Sequence, residues 1–429
     1  MGIKNSKVID PSNIPDLGLK YQRADHVDLP HVVKFSGGRS SALMLLALLD
    51  NGHLSAKRGD VIVFNNTSAE HPETYKFTVL CKKIAELQYG IPFFLTEFLT
   101  YEDAFLGRWR RVPSYRLVKP FPNVSYANRT SYGYHYKGEV FEDFVSWKSQ
   151  LPTRFARTCT QFLKLHTSTS FIADWFGRCD HPDQRTVSVG NQTNGRLGHY
   201  YGETMMPSSE AFKDRSEIVK YHLDRPTSRP PQRYRDFTDA PLIEFDNPHI
   251  SRHVYDRKAI LRGEDSIRFI SFVGLRGDEP RRAANLFLRN NTSFAQGKLA
   301  DGEFVYAPLF DEGYAKEDVL QFWRDQSFDL DIDHNTNLSN CVHCFMKGTQ
   351  ALKQLARVKP ENEGPSDIRW WADLEDRYAR RVTSTKENNT ISKFGFFGRN
   401  SISYREIIAS SEQRSTDALP SSLPCECTD

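Results

Sequence analysis

The chain lacks any apolar run of the roughly 18 residues that a membrane-spanning helix needs. Its first residues, Met1-Gly2-Ile3-Lys4-Asn5-Ser6, have no apolar core of a secretory signal. Both absences predict a cytoplasmic protein with no membrane partner. Met1–Ser6 fits the loose N-myristoylation pattern, but nothing else in the chain points to a lipid surface. Cysteine is scarce: seven residues are scattered over 429. An odd, dispersed set is no disulfide framework and fits a reducing compartment in which thiols bind metal or do chemistry. An excess of one charge is missing too. Lys and Arg number 57 against 54 Asp and Glu, leaving +3, which does not by itself demand a polyanionic partner. No internal repeat and no low-complexity tract is present.

What is present is strand–helix alternation. Hydrophobic residues make up 39% of the chain, enough for one large α/β unit or two domains. Apolar runs predict strands at Val32–Phe35, Val61–Asn65, Pro92–Leu95, Val187–Val189 and Ile267–Val273. Helical spacing predicts helices at Ser41–Leu49, Glu73–Gln88, Thr160–Phe176, Glu279–Arg289 and Lys316–Asp325. The expected fold class is therefore α/β, a mostly parallel, doubly wound sheet covered on both faces. Ligands of such sheets lie at the carboxyl ends of strands. Residues near 100–150 and 195–262 read as insertions in a unit spanning 1–345, and 346–429 as a helical extension with a flexible tail from about Ser410.

The first chemical signal is His31-Val-Val-Lys-Phe-Ser36-Gly37-Gly38-Arg39-Ser40-Ser41. A strand ends in a glycine turn and a helix begins, so the backbone can approach an anion closely and the helix N-terminus favours phosphate. The spacing matches neither the Walker loop nor the dinucleotide fingerprint. Taken alone it also fits a plain strand-to-helix turn. The second signal is the strand Val61–Asn65 running into Asn66-Thr67-Ser68-Ala69-Glu70-His71-Pro72-Glu73-Thr74. The third is Gly274-Leu275-Arg276-Gly277-Asp278-Glu279-Pro280-Arg281-Arg282, in which guanidinium groups can clamp phosphate oxygens, although a salt-bridged helix start has the same composition. The fourth pairs Arg157-Thr158-Cys159-Thr160 with Cys341-Val342-His343-Cys344. Thiolates at Cys-x-x-Cys spacing suit an iron–sulfur cluster or zinc.

Together these segments resemble the phosphoadenylyl-sulfate (PAPS) reductase family of PP-loop, adenine nucleotide alpha hydrolase-like enzymes. The likeness extends over roughly residues 30–100, 155–190 and 265–350 and is nearest to the branch of DNA-phosphorothioation ATP pyrophosphatases. The family has Ser-Gly-Gly-x-x-Ser, then Asn-Thr-Gly-x-Glu-x-Pro-Glu-Thr, and Ser68 stands here in place of that glycine. Arg39 and Ser40 replace its usual Lys and Asp, and Thr160 replaces the second Cys of its cluster-binding pair.

The resemblance implies ATP with Mg²⁺ bound over Ser36, Gly37, Gly38, Arg39, Ser40 and Ser41, with Asn66, Thr67, Glu70, Arg276, Asp278, Glu279, Arg281 and Arg282 completing the nucleotide site. It implies Arg39 and Arg276 as catalytic groups, and Glu70 or Asp278 at Mg²⁺ or the ribose. It further implies a [4Fe–4S] cluster on Cys159, Cys341 and Cys344, for which a fourth ligand from Cys425 or Cys427, an open iron, or a zinc site completed by His343 are the alternatives. The expected activity is ATP-dependent sulfur transfer to a nucleic acid, DNA before tRNA, with a cysteine desulfurase as separate sulfur donor and a homodimer allowed. A sulfonucleotide reductase using Cys427 as nucleophile, in the tail Pro424-Cys425-Glu426-Cys427, is the second expectation, and a non-enzymatic nucleotide-binding scaffold with structural zinc the third.

Basic residues interleaved with aromatics favour the nucleic acid. Arg108-Trp109-Arg110-Arg111 is followed by Tyr115, Arg116, Tyr126, Arg129, Tyr132, Tyr134 and Tyr136, and a second Arg-rich stretch spans Arg225–Arg235. Charge neutralises phosphate and rings stack on bases, though a solvated surface has the same composition.

Overall fold

The computed structural model describes residues 13–103, 110–123, 133–148, 150–177, 186–189, 198–201, 269–291, 303–336, 338, 341–360, 362–384 and 390–412. Cys179, Cys425, Cys427, Tyr126, Arg129, Tyr132, the stretch Arg225–Arg235 and Arg108–Trp109 lie outside the described residues.

Near-continuous apolar runs, buried on both faces, build the central strands of the sheet. Its strands are β1 (His31–Phe35), β2 (Val61–Asn66), β3 (Phe93–Asp103), β4 (Arg110–Pro122) and β5 (Gly133–Tyr134). Strands β6 (Thr186–Val189) and β7 (Gly198–Tyr201) form a separate ribbon, and β8 (Phe269–Val273) and β9 (Glu303–Tyr306) return to the sheet. The order is β5-β4-β3-β2-β1-β8-β9. All neighbours are parallel except β3 and β4.

Helices cover both faces, as a parallel sheet requires. They are α1 (Arg39–Asp50), α2 (Pro72–Gln88), α3 (Glu139–Lys148), α4 (Thr167–Gly177), α5 (Pro280–Asn291), the short α6 (Pro308–Asp311) and α7 (Lys316–Arg324). Val33, Phe35, Ile62, Phe64, Ile270 and Phe272 share one core with α1, α2 and Trp323 of α7. The alternate positions Val32, Val61, Val63 and Phe269 pack with Phe171, Ile172 and Trp175 of α4. Every residue of α1 from Ser41 to Leu49 is buried, the mark of a helix enclosed on all sides. Among the described residues no helix is long and apolar enough to cross a membrane.

The stretch expected as one α-helix, Thr160–Phe176, is split. Thr160–His166 is a π-helix and α4 follows. The Thr167 hydroxyl donates to the Phe162 carbonyl, five residues back, at 2.9 Å, and Thr169 does the same to Leu165 at 2.7 Å. Such back-bonding hydroxyls compete with the α ladder.

The C-terminal region is more than the helical extension that composition suggests. It holds α8 (Thr349–Leu355), α9 (Ile368–Tyr378), α10 (Tyr404–Ser411) and an antiparallel sheet of β10 (Arg380–Ser384), β11 (Thr390–Gly395) and β12 (Gly398–Arg399). Trp371, Phe396 and Tyr404 share an apolar cluster with Phe141 and Phe144 of α3, Phe162, Cys341, Cys344 and, at its edge, Cys159.

Candidate functional site

The strand order places a reversal between β1 and β8. From β1 the chain steps to β2 and β3 on one side, and β8 and β9 fill the other. The crevice outside the carboxyl ends at such a reversal is the usual ligand site of an open α/β sheet. A cavity lies there. Lys34 and Ser36 of β1 and its end, Asn65 of β2, and Val273 and Gly274 at the end of β8 line it. Lys164 of the π-helix and Ser168 of α4 close its far side.

The loop Ser36–Gly38 is built by specific steric demands. Gly37 has φ +79°, and a Cβ there would stand 2.6 Å from Thr74 Cγ2. Ser36 Oγ donates to Ser41 Oγ at 2.9 Å, and Ser41 Oγ donates to the Gly38 carbonyl at 2.9 Å. Helix α1 starts with no side-chain cap and no acidic residue in its first turn, so no carboxylate of that turn offsets the positive end of its dipole.

The segment after β8 meets this loop although more than two hundred residues separate them in sequence. A Cβ on Gly274 would come within 2.7 Å of Ser41 Cα and 2.9 Å of Ser41 N, so only glycine lets the two backbones touch. Arg276 Nη1 donates to Ser40 Oγ at 3.3 Å, and its Nε to Asp278 at 2.8 Å. Glu279 is buried, accepts from the Arg276 backbone at 3.0 Å and pairs with Arg282, whereas Arg281 is exposed. Arg276 thus reaches Ser40 directly, Asp278 and Glu279 are tied to Arg276, and Arg282 is tied to Glu279.

Two expected residues point elsewhere. Arg39 is clamped by both oxygens of Asp329 at 2.7 Å and by the Leu330 and Ile332 carbonyls, and it does not line the cavity. A guanidinium presented with a carboxylate and two main-chain acceptors satisfies itself there. Asn66 is fully buried and donates to Glu97 at 2.7 Å and to the His135 carbonyl at 2.6 Å. Its neighbour Asn65 lines the cavity instead, donating to Ser168 Oγ at 2.6 Å.

Glu97 holds a closed network. Arg116 and His135 both reach its carboxylate, at 2.7 and 2.8 Å. Burial raises its pKa, but the charges of His135 and Arg116 and the hydrogen bonds from His135 outweigh burial and bring it down to about 2.

Thr67 and Glu70 form the link to the cysteines. Thr67 Oγ1 donates to Glu70 Oε1 at 2.9 Å and stands 3.6 Å from Cys341 Sγ. Glu70 pairs with Cys341 in an isolated β-bridge, and the Val342 N–H donates to the Ala69 carbonyl at 3.0 Å. Ser68, where the family has glycine, takes φ +58°. Its hydroxyl accepts from the Val140 and Phe141 N–H groups at 2.8 and 3.3 Å, so the side chain that costs strain also caps α3.

Cys341 and Cys344 are buried and Cys159 is half-buried at the edge of the same cluster. Burial pushes the Cys159 thiol up, opposed by the nearby Lys164 and Arg157 charges. His343 faces the Pro365 carbonyl at 3.0 Å through Nδ1, and burial lowers it to about 4. Among the described residues, no group of three or more His, Cys, Asp or Glu is gathered as a metal ion requires.

Sequence reasoning passed over Lys34, Asn65, Lys164 and Ser168. A signal was available for the first: Lys34 interrupts an otherwise apolar buried strand, and such a charge needs a partner. That partner is Glu303 of β9, which also accepts from Ser271 Oγ at 2.6 Å.

No known protein family matches the chain, and no solved structure resembles it. Over 84 residues, 20% of its length, it is 33% identical to an uncharacterized nin region protein, ORF290, of Escherichia phage lambda. The match covers 23% of that relative, so less than a quarter of the relative's length is shared.

Proposed function

We propose that the protein is a PP-loop-type ATP pyrophosphatase of the PAPS reductase-like group that activates an oxygen of a nucleic acid, DNA before RNA, for replacement by sulfur. The observation that supports this most is the meeting of Ser36–Ser41 with Gly274–Arg276 at the reversal of strand order. In this reading the polyphosphate of ATP lies on the N-terminus of α1, with Arg276 in reach through Ser40. The acceptor oxygen attacks the α-phosphate, pyrophosphate leaves, and the adenylated oxygen becomes a leaving group. The protein supplies position and charge. Lys164 adds positive charge at the cavity wall, where Lys34 is paired with Glu303. Of the two carboxylates expected for Mg²⁺ or the ribose, Asp278 is the exposed one and Glu70 is buried against Thr67 and Cys341.

A [4Fe–4S] cluster on Cys159, Cys341 and Cys344 belongs to the resemblance. The described side chains are not gathered for it, and His343 is turned to a carbonyl rather than towards the thiols, so no step is routed through a metal. The sulfur is brought as a persulfide by a cysteine desulfurase, a separate protein, and a thiol reductant frees it as sulfide, which displaces AMP from the adenylated acceptor.

The test is product analysis of α-labelled ATP with and without DNA. DNA-stimulated release of pyrophosphate, with the label passing to the DNA and freed as AMP once sulfide is added, supports the assignment. Release of sulfite from adenylyl sulfate with a thiol reductant, and none of pyrophosphate from ATP, replaces it with reductase chemistry.

A further inference from the structure

Phe155 is 90% exposed, in a molecule whose other large aromatic side chains are mostly buried. Leaving a Phe in water forgoes the stabilisation that burial would give. Single exposed apolar residues are ordinary on protein surfaces, so exposure alone carries nothing. The setting of this one does.

Phe155 sits at the tip of a tight, doubly closed turn. The Thr153 N–H donates to the Ala156 carbonyl at 3.1 Å, and the Ala156 N–H donates back to the Thr153 carbonyl at 3.2 Å and to its hydroxyl at 3.1 Å. The preceding residue anchors the turn to the cysteine loop. Arg154 Nε donates to the carbonyl of Phe345, next to Cys344, at 3.1 Å, and the guanidinium lies over the Phe397 ring, 5.4 Å from its centre. On the other side the chain runs through Arg157 to Cys159. The Phe155 ring also lies beside Gly398, 3.5 Å from where a Cβ would stand, and Arg399 next to it is exposed. The aromatic tip therefore stands in water next to the exposed Arg154, with Arg157 half-buried two residues on and Arg399 exposed beside Gly398 and bonded to Ser392, at the edge of the cluster that contains all three candidate thiols.

We infer that Phe155 is a stacking platform for a nucleobase of the bound strand, with its flanking arginines on the adjoining phosphates. Positive charge follows a polyanionic backbone, and an aromatic face accepts any base without reading its sequence. The turn hydrogen bonds fix the ring beforehand, so little order is lost on binding. A protein partner is the less fitting occupant, because a single exposed ring next to an exposed arginine offers no contiguous apolar patch for a protein core. The inference rests on the nucleic-acid acceptor proposed above and adds where that strand is gripped.

The experiment uses the full chain, a fluorescein-labelled single-stranded oligodeoxynucleotide, and a matching oligonucleotide with abasic sites. Phe155→Ala is expected to weaken binding about 5- to 150-fold, the span of one lost base stack. The salt dependence should keep its slope, because no phosphate contact is removed. Phe155→Trp should retain affinity and add a tryptophan emission that intact DNA quenches and the abasic strand does not. Equal binding by wild type and Phe155→Ala, with no quenching in Phe155→Trp, overturns the platform and leaves the ATP chemistry untouched. Absence of wild-type binding to DNA and RNA alike removes the nucleic-acid acceptor itself, and the platform with it. Loss of desulfurase binding in Phe155→Ala, with DNA binding intact, assigns the tip to a protein partner and overturns the inference.

Discussion

The two ends of β1 are equally polar and do different things. At the amino end the His31 ring is held between the Tyr21 hydroxyl at 2.7 Å and the Leu29 carbonyl at 2.6 Å, and the His31 backbone N–H donates to Asp60 at 2.8 Å. Asp60 also accepts from the Ser55 N–H and from Arg58. Burial, helped by the Arg58 charge, pushes His31 down to about 3, so the ring is neutral. Every one of these groups finds its partner within the protein. At the carboxyl end Lys34, Ser36, Asn65 and Ser168 have partners too, but they and Lys164 line a cavity. Buried polarity alone therefore does not mark a site. Polarity facing a cavity at the reversal of strand order does.

The largest expected effect sharpens the contrast at the carboxyl end. Gly274→Val puts side-chain atoms against the Ser41 backbone, where a Cβ alone comes within 2.7 Å. It should abolish pyrophosphate release and lower stability by about 1–3 kcal/mol, as overpacking does; a kinetic assay beside a denaturant titration checks both. Asp60→Ala should do the reverse at the amino end. It strips Arg58 and two backbone N–H groups of a buried acceptor, which costs about 3–5 kcal/mol. The rate per folded molecule should stay unchanged, and a comparable loss of rate would erase the difference between the two ends.

Acid should expose the network behind Asn66. The Glu97 carboxyl sits at about 2 in the folded chain against an ordinary 4.5. Its folded-state value is the lower one, so its contribution is complete above about 4.5 and fades as pH falls towards 2. The difference corresponds to about 3 kcal/mol. Glu97→Gln should remove that part of the acid dependence in equilibrium unfolding between those limits, and an unaltered profile would deny the network its role.

The smallest effect expected on stability is that of Lys164→Gln. It removes one charge from the cavity wall, so stability should change by no more than about 0.5 kcal/mol while KM for ATP rises roughly tenfold, the effect of about 1.4 kcal/mol. A large stability loss without a change in KM would make Lys164 a packing residue.

Much of this frame was legible in the sequence because periodicity and glycine spacing are local. The strands Val32–Phe35 and Val61–Asn65, the helix Glu73–Gln88 and the turn between Phe35 and Arg39 follow from which residues can be buried and which can bend. The encounter of Gly274–Arg276 with Ser40 and Ser41 has no local signal, since no local rule links such distant segments. Where single side chains point was not legible. Arg39 has the right chemistry for phosphate, yet Asp329 and two carbonyls lie nearer to it. Asn65 and Asn66 are adjacent and identical in type, and strand alternation sends one to the cavity and the other to Glu97. The π-turn depends on Thr167 and Thr169 hydroxyls competing with the backbone, which helical spacing does not register. Exposure of Phe155 could not be read from a chain in which most aromatics are core.

The most direct test is a crystal structure with α,β-methylene ATP, which cannot be split between those phosphates, and Mg²⁺. The polyphosphate should lie on the N–H groups of Gly38 to Ser41, with Arg276 within reach of its oxygens. A nucleotide bound at another edge of the sheet, with the space between β1 and β8 empty, would contradict the placement of the site.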